Sequence, residues 1–142
     1  MNQLELQQLA EERVQDARAL LDAGRWSSAY YLIGYAVECG MKACILAYLT
    51  KNAGIIFEEG RKKYSENCWT HEIERLVELA ALGPQRQSAI EGNASVARNW
   101  LIVKDWKESS RYELKSQAEA ERLFDAVTNN PDGVLAWIKS HW

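Results

Sequence analysis

The sequence predicts an all-α fold, a single domain of five or six helices packed as an antiparallel bundle. The chain has 142 residues, an ordinary length for one domain. Leu, Ala, Glu, Lys, Gln and Arg dominate it and favour helix, while two prolines and eight glycines leave little material for a many-turned β architecture. No stretch alternates apolar and polar residues for long enough to indicate a strand.

The first two predicted helices follow each other directly. The first runs from about Gln3 to Ala23, where apolar residues recur at helical spacing, and Gly24 suits the position after its last turn. The second runs from about Trp26 to Thr50 and carries only Glu38 and Lys42 as charged residues. A helix with so few charges must be largely buried, so we expect it to form the centre of the bundle.

The rest of the chain predicts shorter helices. Residues 51–69 form a long connection that holds either a short helix or a functional loop. Thr70 has the character of a cap, and Ser116 with Glu119 forms a capping-box pattern. The predicted helices run over about 70–82, ended by Gly83-Pro84, over about 85–107, from 116 onward, and from Asn130-Pro131 to about 140.

Charge and composition exclude several classes of protein. The net charge of −3 argues against a general nucleic-acid coat or a polybasic membrane binder, although it allows a local basic patch. The polar, acidic start is unlike a signal peptide, and the longest apolar run, residues 29–37, is too short to span a bilayer. Three cysteines, two of them within a helix, indicate free thiols in a reducing compartment. We therefore expect a cytoplasmic protein with no membrane partner.

The usual signatures of metal and nucleophilic sites are missing. Cys68 and His71 have C-x-x-H spacing, but no second ligand pair lies nearby, so we expect no metal and no other cofactor. The sequence has no G-x-S-x-G elbow, P-loop or dinucleotide fingerprint. His71 follows a predicted helix cap, where a neutral imidazole that packs or hydrogen-bonds locally is favoured.

The first candidate cluster lies on the second helix. Glu38 and Lys42 are spaced i, i+4 in the favourable order, and Tyr31 and Tyr35 share their helix face. A charge on a buried helix needs a partner. Two interpretations remain open: a structural salt bridge with Arg13 as a possible third member, or a polar pocket that the tyrosines also line.

The second candidate cluster lies between residues 98 and 115, where five cations face three acids. Arginines interleaved with aromatic residues are typical of surfaces that stack bases and hold phosphates. A solvated, mixed-charge helix end is the alternative. The candidate ligand-binding residues here are Arg98, Asn99, Lys104, Arg111 and Tyr112.

Several segments resemble one known family. The stretches 13–21, 24–31 and 35–43, the last containing Ala-Val-Glu-Cys-Gly-Met-Lys-Ala, resemble the first two helices of HEPN domains. Residues 70–73 resemble the start of the family's third helix, and 106–112 resemble the W…RY signature of one bacterial branch. HEPN domains are small helical bundles found beside or fused to nucleotidyltransferases, often as dimers. The resemblance thus implies a homodimer, a nucleotidyltransferase-type partner, and a nucleotide or RNA as ligand.

The same resemblance bears on catalysis. Ribonuclease members of the family use an arginine followed, after four to six residues, by a histidine, and Arg98-Asn99 resembles the start of that motif. Positions 103 to 105 are Val103, Lys104 and Asp105, so the general acid/base is missing. We expect a non-catalytic binding domain. One alternative is a variant ribonuclease toxin of a toxin–antitoxin pair with Arg98 and His71 as catalytic candidates, and another is a purely structural oligomerisation module.

Overall fold

The chain is all-helical, as the sequence predicts. A computed structural model describes residues 1–59, 61 and 63–142, apart from the side chain of Ile56. In this part of the chain 75% of the structure is helix and no strand forms. The α-helices are α1 (Gln3–Asp22), α2 (Trp26–Lys51), α3 (Tyr64–Asn67), α4 (Ile73–Leu79), α5 (Gly83–Gly92), α6 (Ala94–Val103), α7 (Gln117–Thr128) and α8 (Val134–Lys139), with 3₁₀ helices at Ala53–Phe57 and Glu108–Tyr112.

Helix α2 is the centre of the bundle. It packs against α1, α4, α7, α8 and both 3₁₀ helices, and Ile33, Val37 and Met41 on it are fully buried. Gly34 lets the indole of Trp106 approach, because a Cβ at this position would lie 2.1 Å from the indole nitrogen. The apolar composition of α2 is therefore explained by contacts on nearly all of its sides.

By length and composition alone, α2 is also apolar enough to cross a membrane, with a mean hydropathy of 1.5 in its most apolar window. In the folded chain 61% of that window is buried against other helices. The core helix of a soluble protein passes the same test, so one helix of this kind is weak evidence for a membrane span.

Local signals place the helix ends that the sequence predicts best. Asn2 and Glu5 form a capping box at the start of α1, and Ser116 and Glu119 form the predicted one at the start of α7. Gly24 takes a φ of +71° between α1 and α2, a conformation that favours glycine. The close turn sets α1 alongside α2.

Three predicted elements differ in the structure. The expected helix over 85–107 is two helices, because the Asn93 side chain accepts hydrogen bonds from the backbone N–H groups of Ser95 and Val96 and starts α6 anew. The helix expected from Thr70 begins at Ile73, and the last helix begins at Val134, after a cis Asn130–Pro131 peptide bond. With α3 inside the connection over 51–69, the described residues form eight α-helices instead of the predicted five or six, and three of the eight have seven residues or fewer.

Candidate functional site

A buried carboxylate lies where α2 meets the segment before α4. Glu38 is 1% exposed, and its Oε1 accepts a hydrogen bond from Lys42 Nζ at 2.8 Å. His71 Nδ1 lies 2.9 Å from Oε1 and 3.1 Å from Oε2 of the same carboxylate. Arg13 instead pairs with Asp16, at 3.3 Å. His71, not Arg13, is thus the third member of the Glu38 cluster.

The contact with Glu38 sets the tautomer of the neutral His71 ring. An ionised carboxylate only accepts hydrogen bonds, so Nδ1 carries a proton and donates it to Glu38. In the neutral ring Nε2 then keeps its lone pair. The side chain of His71 is 49% exposed while that of Glu38 is 2% exposed, so the buried acid orients a ring that remains reachable from solvent.

The tyrosines on α2 split between two surroundings. Tyr31 stacks on Tyr35 with ring centroids 6.0 Å apart and on Trp106 at 6.1 Å, which links α2 to the residues after α6. Tyr35 faces α1 as well as the Glu38 cluster. Desolvation by burial, followed by the proximity of Cys39 and Glu38, raises the pKa of Tyr35. The Tyr35 phenol therefore stays neutral near pH 7, and both tyrosines contribute aromatic surface.

His71 opens onto a cavity of about 590 Å³, here called the His71 pocket. One wall of the pocket is the start of α4 together with the residues just before it. The other wall is the turn after α6, which carries Lys104, Trp106 and Lys107. Trp106 is 2% exposed and serves as the floor. The full lining is Thr70, His71, Glu72, Ile73, Glu74, Lys104, Trp106, Lys107, Glu108 and Ser109.

Two of the three acids that line the His71 pocket are neutralised by arginines outside it. Both carboxylate oxygens of Glu74 accept hydrogen bonds from Arg86 at 2.6 Å, and Glu108 pairs with Arg111 at 2.6 Å. Within the described chain, neither Lys104 nor Lys107 takes part in an ion pair. The two lysines therefore exceed the one unpaired acid, and the pocket favours an anion.

A cation-bearing aromatic surface adjoins this pocket. The Arg111 guanidinium lies 4.8 Å from the ring centroid of Tyr112, whose side chain is 79% exposed. Desolvation acts to lower the pKa of Arg111, but the neighbouring Glu108 and Tyr112 outweigh it and raise that pKa. Through Glu108, the Arg111–Tyr112 surface is linked to the wall of the His71 pocket, so four of the predicted site residues (His71, Lys104, Arg111 and Tyr112) belong to one region.

Arg98 and Asn99 lie elsewhere. They line a separate cavity of about 380 Å³ with Arg122, Asp125 and Asp132, and this cavity shares no lining residue with the His71 pocket. Asn99 Nδ2 donates to the backbone carbonyl of Asp132 at 2.9 Å, so that amide holds the loop before α8. In the single chain, Arg98 and His71 do not share a pocket.

Sequence reasoning missed two features. One is Lys107, which it counted among the cations but did not select. The other is a groove of about 480 Å³ between α1, α2 and α3, here called the α1–α2 groove. Its signal was the apolar stripe Ile45, Leu46 and Leu49 continuing beyond Lys42 on α2. Burial raises the pKa of Cys39, which also lines the groove, to about 12, so this thiol is unreactive.

The described residues include no group of three His, Cys, Asp or Glu side chains placed to hold a metal ion. No protein-family model matches the chain, and no curated protein or solved structure matches it either.

Proposed function

We propose that this chain is a HEPN-like binding domain without catalytic activity that holds a nucleotide or RNA through phosphate contacts in the His71 pocket. The observation that carries the proposal is the placement of Lys104 and Lys107 beside His71, in a pocket where arginines already neutralise Glu74 and Glu108. Lysine ammonium groups bind phosphate as point charges, and a neutral imidazole adds one hydrogen-bonding nitrogen.

The neighbouring surface suits the rest of such a ligand. Exposed tyrosine faces stack on bases of any sequence, and an arginine beside the ring adds a cationic contact to base or phosphate. Beside the pocket, Tyr112 supplies the exposed ring and Arg111 supplies the cation next to it. Because the pocket carries only two free cations and is open to solvent, we expect modest affinity with a clear dependence on salt.

Equilibrium binding of a fluorescent single-stranded RNA oligonucleotide, with AMP and ATP as competitors, tests this function. We expect Lys104→Gln with Lys107→Gln to weaken RNA binding about tenfold or more at low salt. Lys51→Gln removes an equally exposed lysine from the far end of α2 and is the matched control. Equal affinities for the wild type, the double variant and the control would overturn the proposal, as would a failure of the wild type to bind.

One observation favours a second candidate function, a variant ribonuclease. The buried Glu38 carboxylate holds Nδ1–H of His71 and leaves Nε2 as a general base in a pocket with cations. His71 would take the proton of a ribose 2′-hydroxyl as the new O2′–P bond forms. The P–O5′ bond would break, with water protonating the leaving oxygen. Lys104 rather than Arg98 would face the phosphate.

Turnover distinguishes the two candidates. The binding function predicts no cleavage of RNA by the purified protein at catalytic concentrations. The ribonuclease function predicts cleavage that His71→Ala abolishes and Arg98→Ala leaves intact, because Arg98 lines the other cavity. Cleavage lost with Arg98→Ala would require a site assembled from two copies of the chain.

The proposed partners are a second copy of the chain and a nucleotidyltransferase-type protein. Leu101 and Leu114 are large apolar side chains with 57% and 95% exposure, and they offer positions at which to test a contact. Sedimentation equilibrium of the wild type and of Leu101→Glu measures the homodimer. A monomer at all concentrations would remove the second copy from the proposal while leaving RNA binding by one chain intact.

A further inference from the structure

The α1–α2 groove is a second cavity, separate from the His71 pocket, and it is lined mainly by apolar side chains. Leu6 and Leu9 of α1 face Ile45, Leu46 and Leu49 of α2 across it, while Trp69 stands at the rim with 78% exposure. Its volume of about 480 Å³ is in the range of small-molecule sites, which combine apolar walls with a few polar groups.

The charged side chains of the groove lie on α2, and α3 adds the hydroxyl of Ser65. Lys42 and Glu38 both line the groove, and so does Tyr35 one turn before them. Lys42 has three N–H donors and, among the described residues, uses one of them toward Glu38 Oε1 at 2.8 Å. The Glu38 carboxylate has about four acceptor positions, and the N–H groups of Lys42 and His71 take at least two of them. The ammonium of Lys42 is therefore the principal donor that the described part of the groove offers to a ligand.

Charge sets the kind of head group that fits. A ligand carboxylate at Lys42 would also lie near the buried charge of Glu38, and like charges in a low-dielectric site repel. An ammonium group would be repelled by the like charge of Lys42. An uncharged carbonyl accepts from Lys42 without either penalty.

We infer that the α1–α2 groove binds a small amphipathic molecule made of an apolar chain or ring and an uncharged carbonyl head, such as an amide, ester or lactone. The apolar part lies along Leu6, Leu9, Leu46 and Leu49, and the carbonyl oxygen accepts a hydrogen bond from Lys42 Nζ. This site is independent of the proposed binding of nucleotide or RNA.

Titration calorimetry of the full chain with three eight-carbon probes tests the inference. Octanamide and octanoate share one heptyl chain and differ only in the head group, while octylamine carries an ammonium head on an alkyl chain one methylene longer. We expect saturable one-to-one binding of octanamide below about 1 mM, with octanoate about tenfold weaker and octylamine weaker still. Binding of all three with equal affinity would overturn the role of Lys42, and no saturation by octanamide up to about 1 mM would overturn the site itself.

Two variants locate the binding. Leu46→Gln places an amide in the apolar wall and should weaken octanamide binding about tenfold. Leu4→Gln makes the same change on α1 at a position that is 72% exposed and does not line the groove, and it should leave the affinity unchanged. Lys42→Met should remove the protein's preference for octanamide over octanoate, and Lys42→Arg should keep that preference.

Each variant is first checked for the wild-type circular dichroism spectrum. Should Lys42→Met fail to fold, the wild-type ranking of the three probes still decides the head group, and Leu46→Gln decides the place. A preference for octanoate over octanamide would contradict the inferred head group, and an equal loss of affinity with Leu46→Gln and Leu4→Gln would contradict the inferred place.

Discussion

Replacing Glu38 by glutamine removes the charge that Lys42 and His71 both approach. The amide keeps the size of the side chain, but its NH₂ group faces a donor. From the sequence, Glu38→Ala is expected to lower the free energy of unfolding by roughly 3–5 kcal/mol, because Lys42 would be left buried and unpaired. The structure lowers this value, because the side chains of Lys42 and His71 are 22% and 49% exposed and can return to water.

Two charge-assisted hydrogen bonds are lost in Glu38→Gln, and relief from burying the Glu38 charge offsets part of that loss. We expect the free energy of unfolding to fall by about 1–3 kcal/mol for Glu38→Gln. Urea unfolding followed by circular dichroism measures the change from the midpoint at constant m-value.

Glu78→Gln is the matched control. Glu78 pairs with Arg75 at the same 2.8 Å, but the two side chains are 64% and 46% exposed. Its loss should be below about 0.5 kcal/mol. A Glu38→Gln effect as small as that of Glu78→Gln would contradict the burial of the Glu38 cluster, because it would mean that the cluster is as solvated as a surface ion pair.

Three further predictions concern packing and the cysteines. Gly34→Ala should destabilise the chain by about 2 kcal/mol or more in urea unfolding, because the added Cβ would collide with the Trp106 indole. Gly92 has open space around it, so Gly92→Ala should be neutral or stabilising. Equal effects of the two substitutions would contradict the close packing at Gly34. Iodoacetamide at pH 8 should modify Cys68 alone in the folded chain, since burial raises the pKa of Cys39 and of Cys44 to about 12. If mass spectrometry finds Cys39 labelled as fast as Cys68, the burial of Cys39 is contradicted. The pKa values of Cys39 and Cys44 lie above those of unfolded thiols, so each buried thiol contributes stability that is complete below about pH 8.5. That contribution is lost as the pH rises toward 12, at up to about 1.4 kcal/mol per pH unit for each thiol. Thermal unfolding between pH 8 and 11 should show this decline, and Cys39→Ala should make it shallower.

The elements with strong local signals were predicted well. Helix α1 ends where Gly24 adopts positive φ, α2 has few charges because it is buried on most sides, and the capping box at Ser116 starts α7. The Glu38–Lys42 pair also follows from its spacing on one helix, since i and i+4 are neighbours there. Each of these features depends on residues close together in the chain.

The features that the sequence did not predict depend on how helices meet. His71 reaches Glu38 across 33 residues because α4 packs on α2, and no local pattern marks that contact. The break between α5 and α6 is an exception because its signal is local. The Asn93 side chain, directly after Gly92, caps α6 by accepting from the backbone N–H groups of Ser95 and Val96, and sequence reasoning overlooked this cap. Arg98 and Lys104 are six residues apart on or at the end of α6, about 240° around its axis, so they face different cavities.

The salt dependence of RNA binding tests the proposed function most directly. Each phosphate contact on a single strand contributes a slope of about −0.7 to a plot of log affinity against log salt concentration. If Lys104 and Lys107 hold phosphates in the His71 pocket, Lys104→Gln with Lys107→Gln should make the slope shallower by about 1.4, and Lys51→Gln should leave it unchanged. An unchanged slope in the double variant would contradict phosphate binding at this pocket.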